Sequence, residues 1–399
     1  MNQHSRAMSV RYRRSASAVC FRQEFFIVIQ PLYVHPELSF QEEKTAQFVY
    51  ETLQSFGHLE LSRPTKTSVM ARLIGQQPGR VVAIRADMDA LPIQEENTFE
   101  FASKNPGVMH ACGHDGHTAM LLGTAKIFSQ LRDDIRGEIR FLFQHAEELF
   151  PGGAEEMVQA GVMDGVDVVI GTHLWSPLER GKIGIVYGPM MAAPDRFFIR
   201  IIGKGGHGAM PHQTIDAIAI GAQVVTNLQH IVSRYVDPLE PLVLSVTQFV
   251  AGTAHNVLPG EQGTVRTFDE TLRRTVPQWM ERIVKGITEA HGASYEFQFD
   301  YGYRPVINYD EVTHVIEETA RELLGEEAVA RLKPNMGGED FSAFLQKAPG
   351  SFFYVGARNE EKGIVYPHHH PRFTIDEDAL EIGVQMFVAA TLKLLAGAE

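Results

Sequence analysis

Up to about residue 187, apolar positions alternate between two rhythms. Residues 42–56 set Phe48, Val49, Leu53 and Phe56 at about 3.6-residue spacing, which predicts an amphipathic helix. Residues 81–84 form a continuous apolar run that stops at Arg85-Ala86-Asp87-Met88-Asp89, as a strand buried on both faces does. A helix is predicted over 117–131, through Met120, Leu121, Ala125, Ile127 and Phe128, with further strands over 139–143 and 168–171. Strands alternating with helices predict an α/β fold, a mostly parallel sheet with helices on both faces.

The rhythm changes after Gly188-Pro189. Strand-like runs at 196–203, 243–250, 263–268 and Ser294–Asp300 are interleaved with helical patterns at 216–233 and 271–291. This β-α-β-β-α-β order predicts a ferredoxin-like α+β domain over 188–303. The α/β pattern then resumes with a helix over Asp310–Leu324, a strand over 352–355 and a last helix over 378–395. The second domain therefore interrupts the first, which is expected to comprise 1–187 and 304–399.

Composition narrows the function classes. With 399 residues, 44% of them hydrophobic, the chain can bury two cores. A net charge of −13 with no basic stripe argues against nucleic acid as a partner. No apolar run approaches the ~18–20 residues of a membrane helix, so no membrane is expected. The two cysteines, Cys20 and Cys112, cannot form a disulfide framework, and a cytoplasmic location is expected. Arg6, Arg11, Arg13, Arg14 and Arg22 precede a short apolar stretch, 25–29, too short for a secretion signal; an organelle leader is the alternative to an atypical N-terminus.

Strand ends are where open α/β sheets bind ligands. The run His110-Ala111-Cys112-Gly113-His114-Asp115 lies between a strand and a helix, and other predicted strands lead into Glu147-Glu148 and Thr172-His173. Thiolate, imidazole and carboxylate donors together suit zinc or a neighbouring transition metal. Asp87 belongs to the same rim. Adjacent carboxylates diverge at a strand end, so one of Glu147 and Glu148 can bind metal while the other reaches an activated water. Against this stand a solvated acidic turn for the glutamates and a small buried hydrophobe for Cys112. His114 reads as a ligand, and His110 and His117 as supporting or packing residues. Composition alone does not say which residue of His368-His369-His370 binds. The turn Gly203-Lys204-Gly205-Gly206-His207-Gly208 fits neither a P-loop nor a dinucleotide fingerprint.

From His35 onward, these motifs resemble the two-metal aminoacylase and carboxypeptidase G group of metallopeptidases. They are Ile84-Arg85-Ala86-Asp87-Met88-Asp89-Ala90-Leu91-Pro92, the run from His110, Ala146-Glu147-Glu148, Gly171-Thr172-His173, Gly205-Gly206-His207, Asn256-Val257-Leu258-Pro259, Gly263-Thr264-Val265-Arg266, Met336-Gly337-Gly338-Glu339-Asp340-Phe341 and His369-His370-Pro371. The branch it resembles is that of the N-acyl-amino-acid amidohydrolases, with hippurate hydrolases and plant auxin-conjugate hydrolases.

The resemblance implies two divalent ions (zinc, manganese or cobalt) held by Cys112, His114, Glu148, His173 and His369. It implies Glu147 as general base and Asp87 as a carboxylate orienting a ligand. His207, in an inserted lid, would reach a neighbouring subunit's site, which implies a homodimer or dimer-based oligomer through the lid. Asn256, Arg266 and Gly338 would bind substrate, Arg266 through its α-carboxylate. The expected reaction is hydrolysis of an N-acyl-L-amino acid to a carboxylate and an amino acid. A dipeptidase or carboxypeptidase on the same scaffold is the near alternative, and a non-catalytic binding protein the distant one. Three departures from the family pattern stand out: the segment before His35, His145 where proline is usual, and Gly208 where alanine is common.

Overall fold

The computed structural model describes residues 32–250 and 260–397. Asn256, Cys20 and the arginine-rich start lie outside the described residues. The chain divides into two compact units, 1–188 with 307–333 and 340–399, and 189–306 with 334–339.

The first unit is built on an eight-stranded sheet. Its order across the sheet is Glu60–Ser62, Val69–Ile74, Arg136–Gln144, Gln77–Asp87, Val168–Glu179, Gly350–Arg358, Ile183–Ile185 and Val329–Arg331. The four central strands run parallel. Strands buried on both faces lose their polar alternation, which is why Phe141, Leu142 and Phe143 are consecutive and all buried. The helices Glu43–Phe56, His114–Gln130, Asp310–Leu324 and Asp378–Ala396 contribute Val49, Leu121, Ile316 and Phe387 to the same core.

Three local differences from the sequence expectations have physical reasons. The second helix starts at His114, three residues early, because Gly113 takes a left-handed φ of 90° and turns the chain straight into it. The strand beginning at Val168 runs on to Glu179, since Gly350–Arg358 pairs along its length; His173 therefore lies inside a strand, opposite Tyr354. The 19-residue helix Asp378–Ala396 is long and apolar enough to cross a membrane, contrary to the expectation of no such run. More than half of it is buried in the first unit, where it contributes Leu380, Val384, Phe387 and Leu394 to the core. That burial accounts for its composition.

The second unit has a four-stranded antiparallel sheet ordered Ser294–Asp300, Ala193–Ile202, Gly260–Thr267 and Leu242–Val250. Helices Ala217–His230 and Glu270–Ala290 complete the β-α-β-β-α-β order. Alternate residues Phe197, Ile199 and Ile201 meet Ile220, Val224, Val276, Met280 and Val284 in one core. Both helices start at an aspartate cap: Asp216 accepts from the backbone N–H of Ile218 and Ala219, and Asp269 from that of Leu272. Arg273 is buried in this unit and paired with Asp195 at 2.6 Å.

Candidate metal centre

Parallel strands deliver their carboxyl ends to one rim, and that rim gathers the candidate donors. Strand Gln77–Asp87 ends in Asp87 and leads to Asp89, and Arg136–Gln144 leads to Glu147 and Glu148. Helix His114–Gln130 puts His114 and His117 on one face of its first turn, three residues apart, with ring centroids 5.4 Å apart. His369 has a left-handed φ of 64°, and its backbone N–H donates to the Ala111 carbonyl at 2.8 Å, tying it to the Cys112 loop.

The donor atoms form overlapping trios. Cys112, His114 and His173 make one, and Cys112, Glu148 and His369 another; within each, the atoms lie inside 4.8 Å of one another. Cys112 belongs to both. A third trio joins His114 to Glu147 and Glu148. Cys112 Sγ lies 3.4 Å from His173 Nε2, and Glu148 Oε1 lies 3.2 Å from His369 Nε2 and 3.9 Å from His114 Nε2.

Neighbouring groups fix the imidazole tautomers. His114 Nδ1 donates to the Asp89 carbonyl at 2.9 Å and carboxylate at 3.1 Å, and His173 Nδ1 donates to the Leu174 carbonyl at 2.7 Å. Each ring thus commits Nδ1 to the backbone and leaves Nε2, the nitrogen a metal would take once it is free of a proton, for the other donors. His114 Nε2 is buried and has no hydrogen-bond partner among the described residues.

Electrostatics favour a cation at this place. Burial alone would keep His114 uncharged, but Asp87, Asp89 and Glu148 outweigh it and push its pKa up to about 10. Burial, then Glu148 and Glu147, push the Cys112 thiol well above its ordinary value. Burial keeps His173 neutral, with a pKa well below the usual imidazole range. Two neutral or neutralisable imidazoles, a thiol and several buried carboxylates form a set that divalent ions fit.

Asp87 and Asp89 divide the supporting work. Asp89, two residues on, holds His114, whereas Asp87 Oδ1 accepts from His117 Nδ1 at 2.6 Å. His117 Nε2 in turn accepts from the Leu174 backbone N–H at 2.8 Å. Behind Asp87, Arg85 donates to Asp87 Oδ2 at 2.6 Å, to Asp340 Oδ1 at 2.9 Å and to Gln144 Oε1 at 2.7 Å, all buried. A polar chain therefore runs from Asp340 through Arg85, Asp87 and His117 to the backbone beside His173. The i, i+2 spacing of Asp87 and Asp89 was the sequence signal for Asp89, and Asp340 stood in the motif over 336–341 without a role of its own; Gln144 gave no signal. His110 is buried and makes no hydrogen bond among the described residues, a packing role. His145, at the site of the missing proline, is buried with Nε2 3.0 Å from Glu156 Oε2.

Other candidates lie in the second unit. Arg266 is half-buried and donates through Nη1 to the Met336 carbonyl at 2.6 Å. Gly338 packs so closely on Pro194 that a Cβ there would come within 2.3 Å of its ring. His207 is exposed on its glycine-rich loop, with Nδ1 accepting from the Ala209 backbone at 3.1 Å.

Residues 83–393 match the model of the peptidase family M20/M25/M40. Over 283 residues the chain is 98% identical to an N-acyl-L-amino acid amidohydrolase of Geobacillus stearothermophilus, covering 70% of this chain and 76% of that one. It is 45% identical to thermostable carboxypeptidase 1 of Saccharolobus solfataricus over 91% of this chain and 93% of the relative. A solved Bacillus subtilis structure, described as a dinuclear metal binding peptidase, superposes with a TM-score of 0.81 at 37% identity, covering 95% of this chain and 99% of that one. On this match, and with that rim of strand ends, the chain belongs to peptidase family M20/M25/M40.

Proposed function

We propose that the chain is a metal-dependent amidohydrolase that cleaves N-acyl-L-amino acids to a carboxylate and a free amino acid. The observation that carries this reading is the pair of donor trios sharing Cys112, with Glu147 beside them. Cys112, His114, Glu148, His173 and His369 would hold two divalent ions, with zinc or cobalt favoured over manganese by the soft sulfur. Bound there, the ions would polarise the acyl carbonyl and lower the pKa of a water molecule. Glu147, buried at the strand end, would take the proton of that water and pass it to the leaving nitrogen. Arg266 would grip the α-carboxylate, for which a planar guanidinium fork is suited. Asn256 and Gly338 would complete the substrate contacts. Two cysteines in 399 residues make no disulfide framework, which favours a reducing compartment and a cytoplasmic location.

Residues 188–303 would serve as a lid and dimerisation domain, with His207 completing the partner subunit's site by hydrogen bonding to the developing oxyanion. Its exposure supports this, as do the exposed Phe249 and Val250 on the outer strand Leu242–Val250. Mixing inactive His207→Ala and Glu147→Gln subunits, with exchange, is expected to restore hydrolysis that neither parent has. Continued inactivity of verified hybrids would place His207 in cis, and an active His207→Ala parent would place it outside the reaction.

The carboxypeptidase relative motivates the second reading. Acetyl, benzoyl and aminoacyl amides of one amino acid are to be compared at equal metal loading. The simple acyl amides are expected to have the higher kcat/KM, with all cleavage stopped by chelator and restored by zinc, cobalt or manganese. Preference for the aminoacyl amide would make the chain a dipeptidase. Full activity in metal-free protein would overturn the metal-dependent reading altogether.

A further inference from the structure

We propose that residues 38–42 form a brace that sets the position of Glu147, with Glu42 as a positioning residue for the general base. The inference rests on the assignment of Glu147 as that base. Glu42 occupies the cap position of helix Glu43–Phe56, but its side chain makes no cap hydrogen bond to it. Its fully buried side chain turns inward instead. Oε1 accepts from the Ala146 backbone N–H at 2.8 Å, 104 residues away, and from the Phe40 backbone N–H at 3.0 Å.

Both donors are strained. Ala146 has φ 49° and Phe40 has φ 64°, and side-chain-bearing residues enter this left-handed region only where their surroundings hold them. One carboxylate oxygen thus secures two unfavourable backbone conformations, one of them next to Glu147. The other flank is held from the same segment. Glu148 N–H donates to Asp89 Oδ2 at 2.9 Å, and Ser39 Oγ donates to that oxygen at 2.7 Å. The Ala146 carbonyl accepts from Gly153 N–H at 3.0 Å.

The two peptide N–H groups that bracket Glu147 are therefore fixed by buried carboxylates seated in, or bonded to, one short N-terminal segment. A general base works only within hydrogen-bond reach of its proton, so small shifts of this turn are costly. Glu42, Phe40, Ser39 and Ala146 are not candidate metal donors, whereas Glu148 is one and Asp89 holds another, His114. Burial, then the nearby Asp89 charge, pushes the Glu42 carboxyl up to about 7. Its protonated form is one that glutamine copies.

The test compares Glu42→Ala, Glu42→Asp and Glu42→Gln in the full chain, reading kcat, KM, metal content and thermal midpoint on an N-acyl amino acid. Alanine removes the acceptor and aspartate draws it back by one methylene, so both are expected to lose about 10–10²-fold in kcat. KM and metal content should stay at wild-type values, and glutamine, whose amide oxygen accepts the same two bonds, should stay near wild-type kcat. Wild-type kcat in a folded, metal-loaded Ala or Asp variant would overturn the brace, as would loss of metal in step with activity. Should Glu42→Ala not fold, Ser39→Ala decides: a lower kcat at unchanged KM and metal supports the brace, and wild-type kcat overturns it. Glu147→Gln measured alongside separates the two readings. Full activity there removes the base assignment itself, while an inactive Glu147→Gln beside fully active Glu42 variants removes only the brace.

Discussion

Glu147→Gln is expected to lose about 10²–10⁴-fold in turnover while keeping its metal and its KM. The amide fills the same buried space as the carboxylate, so the turn that carries it should hold its shape. What vanishes is basicity: an amide cannot take a proton from water at neutral pH and return it to a departing nitrogen. The neighbouring donors Cys112, His114, Glu148, His173 and His369 are untouched. Metal analysis beside single-turnover kinetics reads both properties in one preparation. Metal lost together with activity would make Glu147 a ligand through its trio with His114 and Glu148.

Arg85→Met is expected to cost about 3–5 kcal/mol of stability, the usual penalty for removing one partner of a buried ion pair. Arg85 has a fully buried side chain lying between Asp87 and Asp340. Burial alone would raise the Asp87 carboxyl, yet Arg85, His114 and His117 hold it well below the usual carboxylate range. Methionine fills most of the volume but leaves both carboxylates without their cation. Urea unfolding of metal-free protein should show a lower midpoint at an unchanged slope. Adding Asp340→Asn should recover part of the loss, since one uncompensated charge is then gone. A penalty below about 1 kcal/mol would mean that the network is worth no more than an exposed ion pair. Activity should fall as well, because Asp87 holds His117, and His117 holds the backbone beside His173.

Much of the fold was legible because it depends on local periodicity. The helix at Asp310–Leu324 and the strand at Ser294–Asp300 follow directly from the residue pattern. Short strands without a distinct pattern were not legible: Glu60–Ser62, Ile183–Ile185 and Val329–Arg331 exist only because a neighbouring strand pairs with them. The limits of longer elements also depended on partners, as in the strand that carries His173. Chemical types at the site were visible as residue classes next to predicted strand ends. Which atoms converge was not readable from spacing, and only the resemblance implied it, because each trio joins residues from parts of the chain that are distant in sequence, as Cys112 and His114 with His173.

The supporting residues mark the boundary most clearly. In sequence Glu42 is merely the first residue of a helical pattern; its bond to Ala146 spans 104 positions. Asp89 differs from Asp87 only by two places, yet it is Asp89 that faces His114 Nδ1. By itself the sequence determined the α/β class, the β-α-β-β-α-β order of elements in the second half and the kinds of donor available, since these follow from spacing and side-chain chemistry along the chain. Only the tertiary structure decided which donors share Cys112, which imidazole nitrogens face them and which buried carboxylates hold the turn around Glu147, because hydrogen-bond geometry and burial are properties of residues brought together from distant parts of the chain.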